Sequence, residues 1–190
     1  RLSTVSDVTD MRSRLLDAAL EVLQRDGATG LTVRNITAAA GCSTTGIYTY
    51  FGGKHGLVEA IYLDGFRSFD RAVSSLLDAD RLDDAGRAYR RWALDNPTHY
   101  LVMFGRVVPD FVPSPAAMEE AARSFDALVR AVARAGAGSR ADDIAYHVFA
   151  TMHGYVMLEL VGMGGRPSED LDALYERGLV YVMSGIVPPG

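Results

Sequence analysis

The sequence predicts an all-α fold, and this prediction rests on one pattern that is present and one that is missing. Apolar residues recur at the helical spacing of about 3.6 residues along most of the 190 residues. Alternating β-branched runs bracketed by hairpin turns, which are typical of strands, are nearly absent. With 48% hydrophobic residues, the chain can bury one large core or two small ones. We expect about nine helices, divided between a small N-terminal domain and a larger C-terminal one.

The first helix is predicted to begin at Thr9, whose hydroxyl is a good N-cap, and to stop at Gly27. Its buried face is formed by Met11, Leu15, Ala18, Ala19, Val22 and Leu23. Residues 1–8 have no apolar core. We therefore expect a flexible leader there, and neither a signal peptide nor a membrane anchor.

Two short helices are predicted next. Thr32 caps the second helix and Gly41 closes it, while Ser43 or Thr44 begins a third helix that ends near Phe51. Two short helices joined by a tight turn that contains glycine are typical of a helix-turn-helix. Residues 9–53 should form this domain.

A long fourth helix should run from Lys54 to about Leu77, because Gly52 and Gly53 break the chain just before it. Prolines and glycine-rich runs divide the remaining sequence into further helices. These are predicted at about 82–95, 97–107, 115–135, 140–163 and 169–186. Residues 54–188 should form the second, all-helical domain.

The charge is distributed unevenly. The formal net charge is −5, which by itself argues against nucleic acid as a partner. However, no acidic residue lies between Asp26 and Glu59, whereas Arg34 and Lys54 do. From position 57 onward there are 13 basic against 19 acidic residues. The acidity therefore belongs to the C-terminal domain, and the N-terminal domain is free to approach phosphates.

Two other classes of protein are disfavoured. Cys42 is the single cysteine, so the chain can form neither an intrachain disulfide nor a thiolate metal site, and we expect a protein of the reducing cytoplasm. The apolar stretch from Ile144 to Met163 approaches the length of a membrane span, but it contains histidines and a glutamate. A buried helix explains this stretch better, and we expect no membrane partner.

The third helix has the polarity that reading DNA requires. Ile47 and Phe51, four residues apart, should face the other two helices. The outward positions are predicted to be Thr44, Thr45, Gly46 and Thr49, where hydroxyls can bond base edges and threonine methyls can touch thymine. Tyr48, Tyr50 and Lys54 flank them and suit phosphate oxygens, although Tyr48 as a core residue is an open alternative. Ser43 is a further candidate DNA-binding residue.

Residues 11–62, with the stretches LLDAALEVLQRDGATGLTV and RNITAAAGCSTTGIYTYF and the KxxL at 54–57, resemble the TetR/AcrR family of transcriptional regulators. The resemblance implies that Thr44, Thr45, Gly46 and Thr49 read bases. It also implies that Tyr48, Tyr50 and Lys54 bind the DNA backbone, and that Arg34 contacts a base or a phosphate.

The chain departs from the family pattern after Phe51. Gly53 stands where the family usually has a capping residue, and His55 stands where it usually has an acid. Because Gly56 follows, and glycine inside a helix costs about 0.5–1 kcal/mol relative to alanine, we expect the fourth helix to begin loosely.

The last two helices are apolar on more than one side, which favours a homodimer held by a four-helix bundle. A dimer would place two recognition helices about 34–36 Å apart, so the operator should be a pseudo-palindrome. A polar ridge of His147, Thr151, Tyr155 and Glu159 lies on the first of these helices. The predicted interface residues are Val148, Tyr155, Glu159, Leu171, Tyr175, Leu179 and Val182, with Gly178 and Gly185 permitting close crossing.

Aromatic and methionine side chains in the C-terminal domain suit a small hydrophobic or aromatic ligand, with His153 orienting it. The predicted ligand residues are Trp92, Tyr100, Met103, Phe104, Phe111, Met118, Phe125, Phe149, Met152 and His153. The stretch DNPTHYLVMFG and the MHG at 152–154 resemble a subgroup of the family with a Trp-His-Gly signature, in which Met152 replaces the tryptophan.

We therefore expect a DNA-binding regulator, with repression as the family's usual mode, whose ligand tilts the fourth helix and lowers operator affinity. A DNA-binding dimer controlled by a protein partner is the alternative. An enzyme is the rival from another class. Asp143 and His147 share a helical face, but the paired Glu-x-x-His motifs of di-iron bundles are missing, as are nucleophile-elbow, zinc and phosphate-loop motifs. We expect no catalytic residue, metal or cofactor.

Overall fold

The computed structural model describes residues 5–163 and 167–184; the side chains of 5–9, 168 and 169 are outside the description. Nine α-helices and no strand lie in these described ranges. They are α1 (Val5–Gly30), α2 (Val33–Ala40), α3 (Thr45–Phe51), α4 (Lys54–Asp78), α5 (Leu82–Asp95), α6 (Pro97–Phe104), α7 (Pro115–Val132), α8 (Ala141–Leu160) and α9 (Ser168–Ser184). The predicted all-α fold is confirmed.

The chain forms two compact units. The first comprises Arg1–Gly65 and Thr98–Met118, and the second comprises Phe66–Pro97 and Glu119–Gly190. The predicted domain division at residue 53 differs from this one, because the first half of α4, all but the first residue of α6 and the start of α7 pack with the N-terminal helices. The first unit therefore contains more than the helix-turn-helix.

The residues that begin and end the first helices are largely those predicted. The Thr32 hydroxyl accepts a hydrogen bond from the Asn35 amide at 3.2 Å, and Gly41 ends α2 in the left-handed conformation. Gly27, also at positive φ, kinks α1 where the helix was expected to stop. The predicted N-cap at Thr9 is wrong, because α1 begins at Val5 and includes Thr9.

The core of the first unit is built from the predicted inward faces of α1 to α3 and the first half of α4. Its fully buried residues include Leu15, Ala19, Val22, Leu31, Ile36, Ile47, Leu57 and Ile61. Arg14 of α1 adds a polar tie, since its guanidinium donates to the Ala40 carbonyl at 2.6 Å. This bond satisfies a carbonyl at the end of α2 that has no partner within the helix.

The second unit contains α5, α8 and α9 with the second half of α4 and most of α7. A five-residue π-helical turn and a 3-10 turn lie between α7 and α8. The sequence predicts one continuous helix as far as residue 135, so α7 ends earlier than expected. Gly178 allows α9 to approach α8, since a Cβ there would stand 2.8 Å from Tyr155 Cζ. Gly178 thus permits close crossing of α8 and α9 within the chain, its part in a dimer interface stays a prediction, and Gly185 lies outside the described residues.

Arginine–carboxylate pairs link the helices of the second unit. Arg90 of α5 binds Glu159 of α8 with two hydrogen bonds of 2.8 and 2.9 Å, and it also pairs with Asp172 of α9. Arg87 binds Glu176 of α9 in the same way. None of the helices described is long and apolar enough to span a bilayer.

Candidate nucleic-acid interface

Helix α3 has one buried face and one exposed face. Ile47 is fully buried, whereas Thr44, Thr45 and Thr49 are exposed. Tyr48 is 61% exposed, so the alternative that it belongs to the core is wrong. The exposed groups are hydroxyls, which donate and accept hydrogen bonds and can therefore meet either base edges or phosphates.

Local backbone geometry explains why α3 is so short. The amides of Gly46 and Ile47 donate to the carbonyls of Ser43 and Thr44, each at 3.2 Å, and these bonds form the first turn. Gly52 ends the helix at positive φ and donates to the Tyr48 carbonyl at 3.0 Å. Glycine adopts this conformation without a steric penalty.

Gly46 does not face outward as predicted. A Cβ at this position would stand 3.4 Å from Leu15 Cδ1 and 3.9 Å from Cys42 Sγ. The position therefore faces α1, and the glycine lets α3 pack close to it. The predicted outward orientation is therefore wrong, whereas contact of this half-buried glycine with DNA stays a prediction.

Phe51 is half-buried and carries a contact that the sequence analysis missed. The Arg12 guanidinium lies 5.1 Å from the centroid of the Phe51 ring, a cation–π arrangement. The contact places an exposed cation of α1 at the end of α3. An arginine near the start of α1 gives no signal of this contact, because the two residues are 39 positions apart in the sequence.

The cations of this surface have no carboxylate partner in the part of the chain that the structure describes. Arg12, Arg34 and Lys54 are all exposed, and no described Asp or Glu oxygen lies within 4.0 Å of them. Arg25, at the far end of α1, is paired with Asp26 and Glu21. The predicted basic residues are therefore available to phosphate oxygens. Ser43 is exposed and Tyr50 half-buried on the same segment.

The first turn of α4 differs from the loose start that the sequence predicts. Gly53 has a φ of 134°, and a Cβ at Gly56 would overlap the backbone carbonyl oxygen of Phe51. The Leu57 amide donates to the Gly53 carbonyl at 3.1 Å and closes the first turn. Gly56 therefore lets α4 pack against the end of α3, which is a reason for glycine that periodicity does not reveal.

Three of the predicted dimer residues already pack within the protomer. Val148, Tyr175 and Leu179 are buried inside the second unit, and the Tyr175 hydroxyl donates to the Gly86 carbonyl at 2.6 Å. Side chains already buried within one protomer are not available to a partner. Leu171 and Val182 are half-buried.

The polar ridge on α8 is not one continuous surface. Glu159 binds Arg90, and Tyr155 packs edge-on against Tyr175 with ring centroids 5.8 Å apart. The Thr151 hydroxyl donates to the His147 carbonyl one turn earlier. Tyr155 and Glu159 therefore hold the helices of their own unit together, and their role in the interface stays a prediction.

The predicted ligand residues fall into both units, and those in the first unit are used in packing. Tyr100 is fully buried beside Phe104, with ring centroids 4.9 Å apart. Met103 packs so closely on Gly65 that a Cβ there would stand 2.7 Å from the Met103 sulfur. Phe111 lies against His55, and Met118 is exposed. Tyr100, Met103 and Phe111 therefore make packing contacts within the first unit.

In the second unit, Trp92 is a core residue, since its indole nitrogen donates to Ser68 Oγ at 3.1 Å and its ring meets Phe69. The remaining predicted residues lie close together. Phe125 meets Phe149 at 6.2 Å, and Phe149 stacks on His153 at 5.5 Å between ring centroids. Met152, which precedes His153 in the sequence, is buried. Burial lowers the pKa of His153 below its usual range.

Comparison with known families gives the class of the protein. Residues 15–61 match the family model described as "Bacterial regulatory proteins, tetR family", and residues 82–182 match "Tetracyclin repressor-like, C-terminal domain". The second match alone covers more than half of the chain. The chain therefore belongs to the TetR family of bacterial regulators, as its sequence motifs predicted.

Individual relatives agree with this assignment. The HTH-type transcriptional regulator Rv1816 of Mycobacterium tuberculosis is 25% identical over 135 residues, which span 65% of this chain but only 58% of that protein. The nicotine-responsive repressor HdnoR of Paenarthrobacter nicotinovorans is 31% identical over 78 residues, 41% of this chain and 38% of its own. These relatives are transcriptional regulators and not enzymes.

Solved structures confirm the fold. The crystal structure of the regulatory protein SCO4313 superposes with a TM-score of 0.84 at 26% identity, covering 96% of this chain and 99% of that one. A TetR variant of Acinetobacter baumannii AYE in complex with minocycline gives a TM-score of 0.62 at 17% identity, covering 96% of each chain. The latter likeness concerns the fold alone.

Proposed function

We propose that the protein is a cytoplasmic transcriptional repressor that binds a pseudo-palindromic operator as a homodimer and is released by a small hydrophobic or aromatic ligand. One observation carries the DNA-binding part. Helix α3 exposes Tyr48 and Thr49 beside Thr44, and no acidic residue interrupts the segment from Gly27 to Val58. The cations that flank the helix have no carboxylate partner among the described residues. A helix of this polarity fits a major groove.

The test of DNA binding is selection of bound sequences from random duplexes by the purified protein. The expected product is an operator with two half-sites whose centres are about one helical turn apart. Binding without preference for any duplex over bulk competitor would overturn the proposal.

Thr49→Ala should change the base preference at one symmetric pair of operator positions, because the hydroxyl and the methyl group that reach a base edge are removed. One lost base contact should weaken the selected operator by about 1–3 kcal/mol. Competition against operator variants changed at each position measures this effect. Thr29→Ala is the matched control, since Thr29 is exposed near the end of α1 and should leave every preference unchanged.

The homodimer is supported by apolar side chains that α8 and α9 leave exposed. Tyr146, Leu158 and Val161 on or just after α8 are exposed, as are Val180 and Tyr181 on α9, the latter by 74%. Large exposed apolar patches mark protein–protein contacts. We assign the dimer contact to these residues in place of the buried ones.

Tyr181→Asp combined with Val180→Asp should convert the dimer to a monomer, because two charges would have to be buried without partners. Sedimentation equilibrium measures the change in mass. Gln24→Asp, which adds a charge at an exposed position of α1, should leave the dimer intact. A double variant that remains dimeric would assign the contact to another face.

The proposed effector contacts are Phe125, Phe149, Met152 and His153 in the second unit, because the rings of Phe125, Phe149 and His153 lie together and Met152 precedes His153 in the sequence. The related repressor HdnoR responds to nicotine, a small heteroaromatic molecule. A coupling free energy of about 1–3 kcal/mol would lower operator affinity roughly 5- to 150-fold.

Thermal shift against a library of hydrophobic and aromatic compounds tests for an effector, since a ligand that binds the folded state raises the melting temperature. Phe149→Ala should abolish the shift for an active compound. Release of operator by that compound should be lost in the same variant. A library without any stabilising compound would favour control by a protein partner.

A further inference from the structure

A short segment after α6, Phe111–Ser114, lies against the first two turns of α4. We call this segment the strap. Three residues of α4 contact it, His55, Glu59 and Tyr62, and they are spaced four and three residues apart. Because this is the spacing of one helical face, the strap lies along a single side of α4.

Each contact is specific in its chemistry. The His55 ring nitrogen Nε2 donates to the Val112 carbonyl at 3.1 Å, and the His55 ring lies 5.3 Å from that of Phe111. The Phe111 ring also meets Tyr62 edge-on at 6.0 Å. The Glu59 carboxylate accepts a hydrogen bond of 2.6 Å from the Ser114 amide.

Glu59 also contributes through its position at the start of another helix. Ser114 immediately precedes α7, and its hydroxyl accepts a hydrogen bond from the Ala117 amide at 3.2 Å. The Glu59 carboxylate therefore lies at a helix N-terminus, where negative charge is favoured. The strap is held to α4 at one end by His55 and at the other by Glu59.

The start of α4 requires such support. Gly53, which precedes Lys54, has no side chain to cap the helix, and Gly56 lies in the first turn. A glycine in place of a capping side chain weakens a helix end by about a few tenths of a kcal/mol, and a glycine inside a helix costs about 0.5–1 kcal/mol relative to alanine. His55, which stands where the family usually has an acid, supplies a tertiary bond at this turn instead.

We propose that His55 and Glu59 are positioning residues which, by fastening α4 to the strap, hold Lys54 in place for a DNA phosphate. This inference rests on the proposed DNA-binding function. It explains how a helix with a glycine-rich start can present Lys54, the residue next to His55, in a fixed position. It also gives the α6–α7 connection direct contact with the helix that carries Lys54.

The first experiment does not require DNA. Hydrogen exchange at the Leu57 amide, which bonds to Gly53 in the first turn, should be faster in a His55→Ala, Glu59→Ala double variant of the full chain. Exchange in α2 should be unchanged. Unchanged exchange at Leu57 would show that the strap does not hold this turn and would overturn the proposal, whether or not the protein binds DNA.

The second experiment is a double-mutant cycle on the selected operator. The strap variant should weaken binding about tenfold and lower the salt slope by about 1, as Lys54→Ala does, without changing base preference. In a Lys54→Ala background the strap variant should have no further effect. A second tenfold loss in that background would show that the strap acts elsewhere and would overturn the proposal.

Conservative replacements separate positioning from general instability. Glutamine at either position retains hydrogen-bonding capacity, so His55→Gln and Glu59→Gln should recover most of the operator affinity and the slow exchange at Leu57. Wild-type protein that selects no operator would refute the proposed function, and the exchange measurement would then still decide whether the strap holds α4.

Discussion

Two arginines of the first unit and two of the second are used in opposite ways. In the first unit, Arg12 and Arg34 have no carboxylate partner among the described residues. In the second, Arg87 and Arg90 of α5 are bound to carboxylates of α8 and α9. The same residue type is thus left open to an outside anion in one unit and holds helices together in the other. This difference in the pairing of arginines parallels the uneven distribution of charge along the sequence.

This difference predicts how variants of the two units should behave. Removing one of the cations that lack a carboxylate partner among the described residues, Arg12, Arg34 or Lys54, should affect DNA binding and leave stability nearly unchanged, whereas removing a paired arginine of the second unit should affect stability first. A variant that changed both quantities, or the opposite one, would break the comparison.

The largest expected effect follows from Arg90→Ala. The side chains of Arg90 and Glu159 are only 15% and 17% exposed, so the change leaves a poorly solvated carboxylate without its partner. The expected loss is about 3 kcal/mol in the free energy of unfolding, because breaking a buried ion pair on one side costs more than the pair contributes. Urea denaturation measures this loss.

Two controls sharpen the result. Arg90→Met together with Glu159→Leu removes both charges and should recover much of the stability. Arg87→Ala breaks a pair that is 41% and 46% exposed and should cost less than about 1 kcal/mol. If Arg87→Ala were as damaging as Arg90→Ala, burial would not be the reason for the difference.

Much of the fold was predictable from the sequence because its local signals agree with one another. Apolar spacing located the helices, and Thr32 and Gly41 marked the ends of α2 through side-chain capping and positive φ. The outward hydroxyls of α3 were predictable for the same reason, since Ile47 fixes which face is buried. These are properties of residues three or four positions apart.

The errors concern contacts between distant residues. Periodicity shows that Tyr175 and Leu179 lie on an apolar face, but not that α5 of the same chain covers them. It also cannot show that Gly56 faces the Phe51 carbonyl, so this glycine was interpreted only as a cost to the helix. Burial against a neighbour and burial against a partner subunit give the same sequence pattern.

An intermediate effect is expected from Lys54→Ala. Loss of one phosphate contact should weaken all DNA sequences by a similar factor, about tenfold or 1.4 kcal/mol, and reduce the slope of log affinity against log salt by about 1. The free energy of unfolding should change by less than about 0.5 kcal/mol, as for other exposed positions. Titrations of operator and of unrelated duplex at several salt concentrations measure both quantities.

The matched control for Lys54 is Arg25→Ala. Arg25 is also a cation of the first unit, but it is paired with Asp26 and lies at the far end of α1. Its removal should leave the salt slope unchanged. An equal change in slope from Arg25→Ala would mean that net charge, and not the position of Lys54, controls the affinity.

The smallest effect concerns pH, and here the two units should behave alike. Burial lowers the pKa of His99 in the first unit, against the opposing attraction of Asp64 and Asp17, and burial also lowers the pKa of His153 in the second. The unfolded chain therefore binds protons at higher pH than the folded one. Stability should be complete above the unfolded histidine value of about 6.5 and should fall as the pH drops below it.

Urea unfolding at intervals between pH 7.5 and pH 5.5 measures this decline, in a range where carboxylates remain charged. Glutamine at either position cannot titrate, so His99→Gln and His153→Gln should each flatten part of the decline, and the two together should flatten more than either alone. Because His99 lies in the unit with α1 and α4, and His153 lies on α8, additivity of the two changes shows that both units bury a neutral imidazole. Stability that rose on acidification would mean that Asp64 and Asp17 outweigh burial at His99.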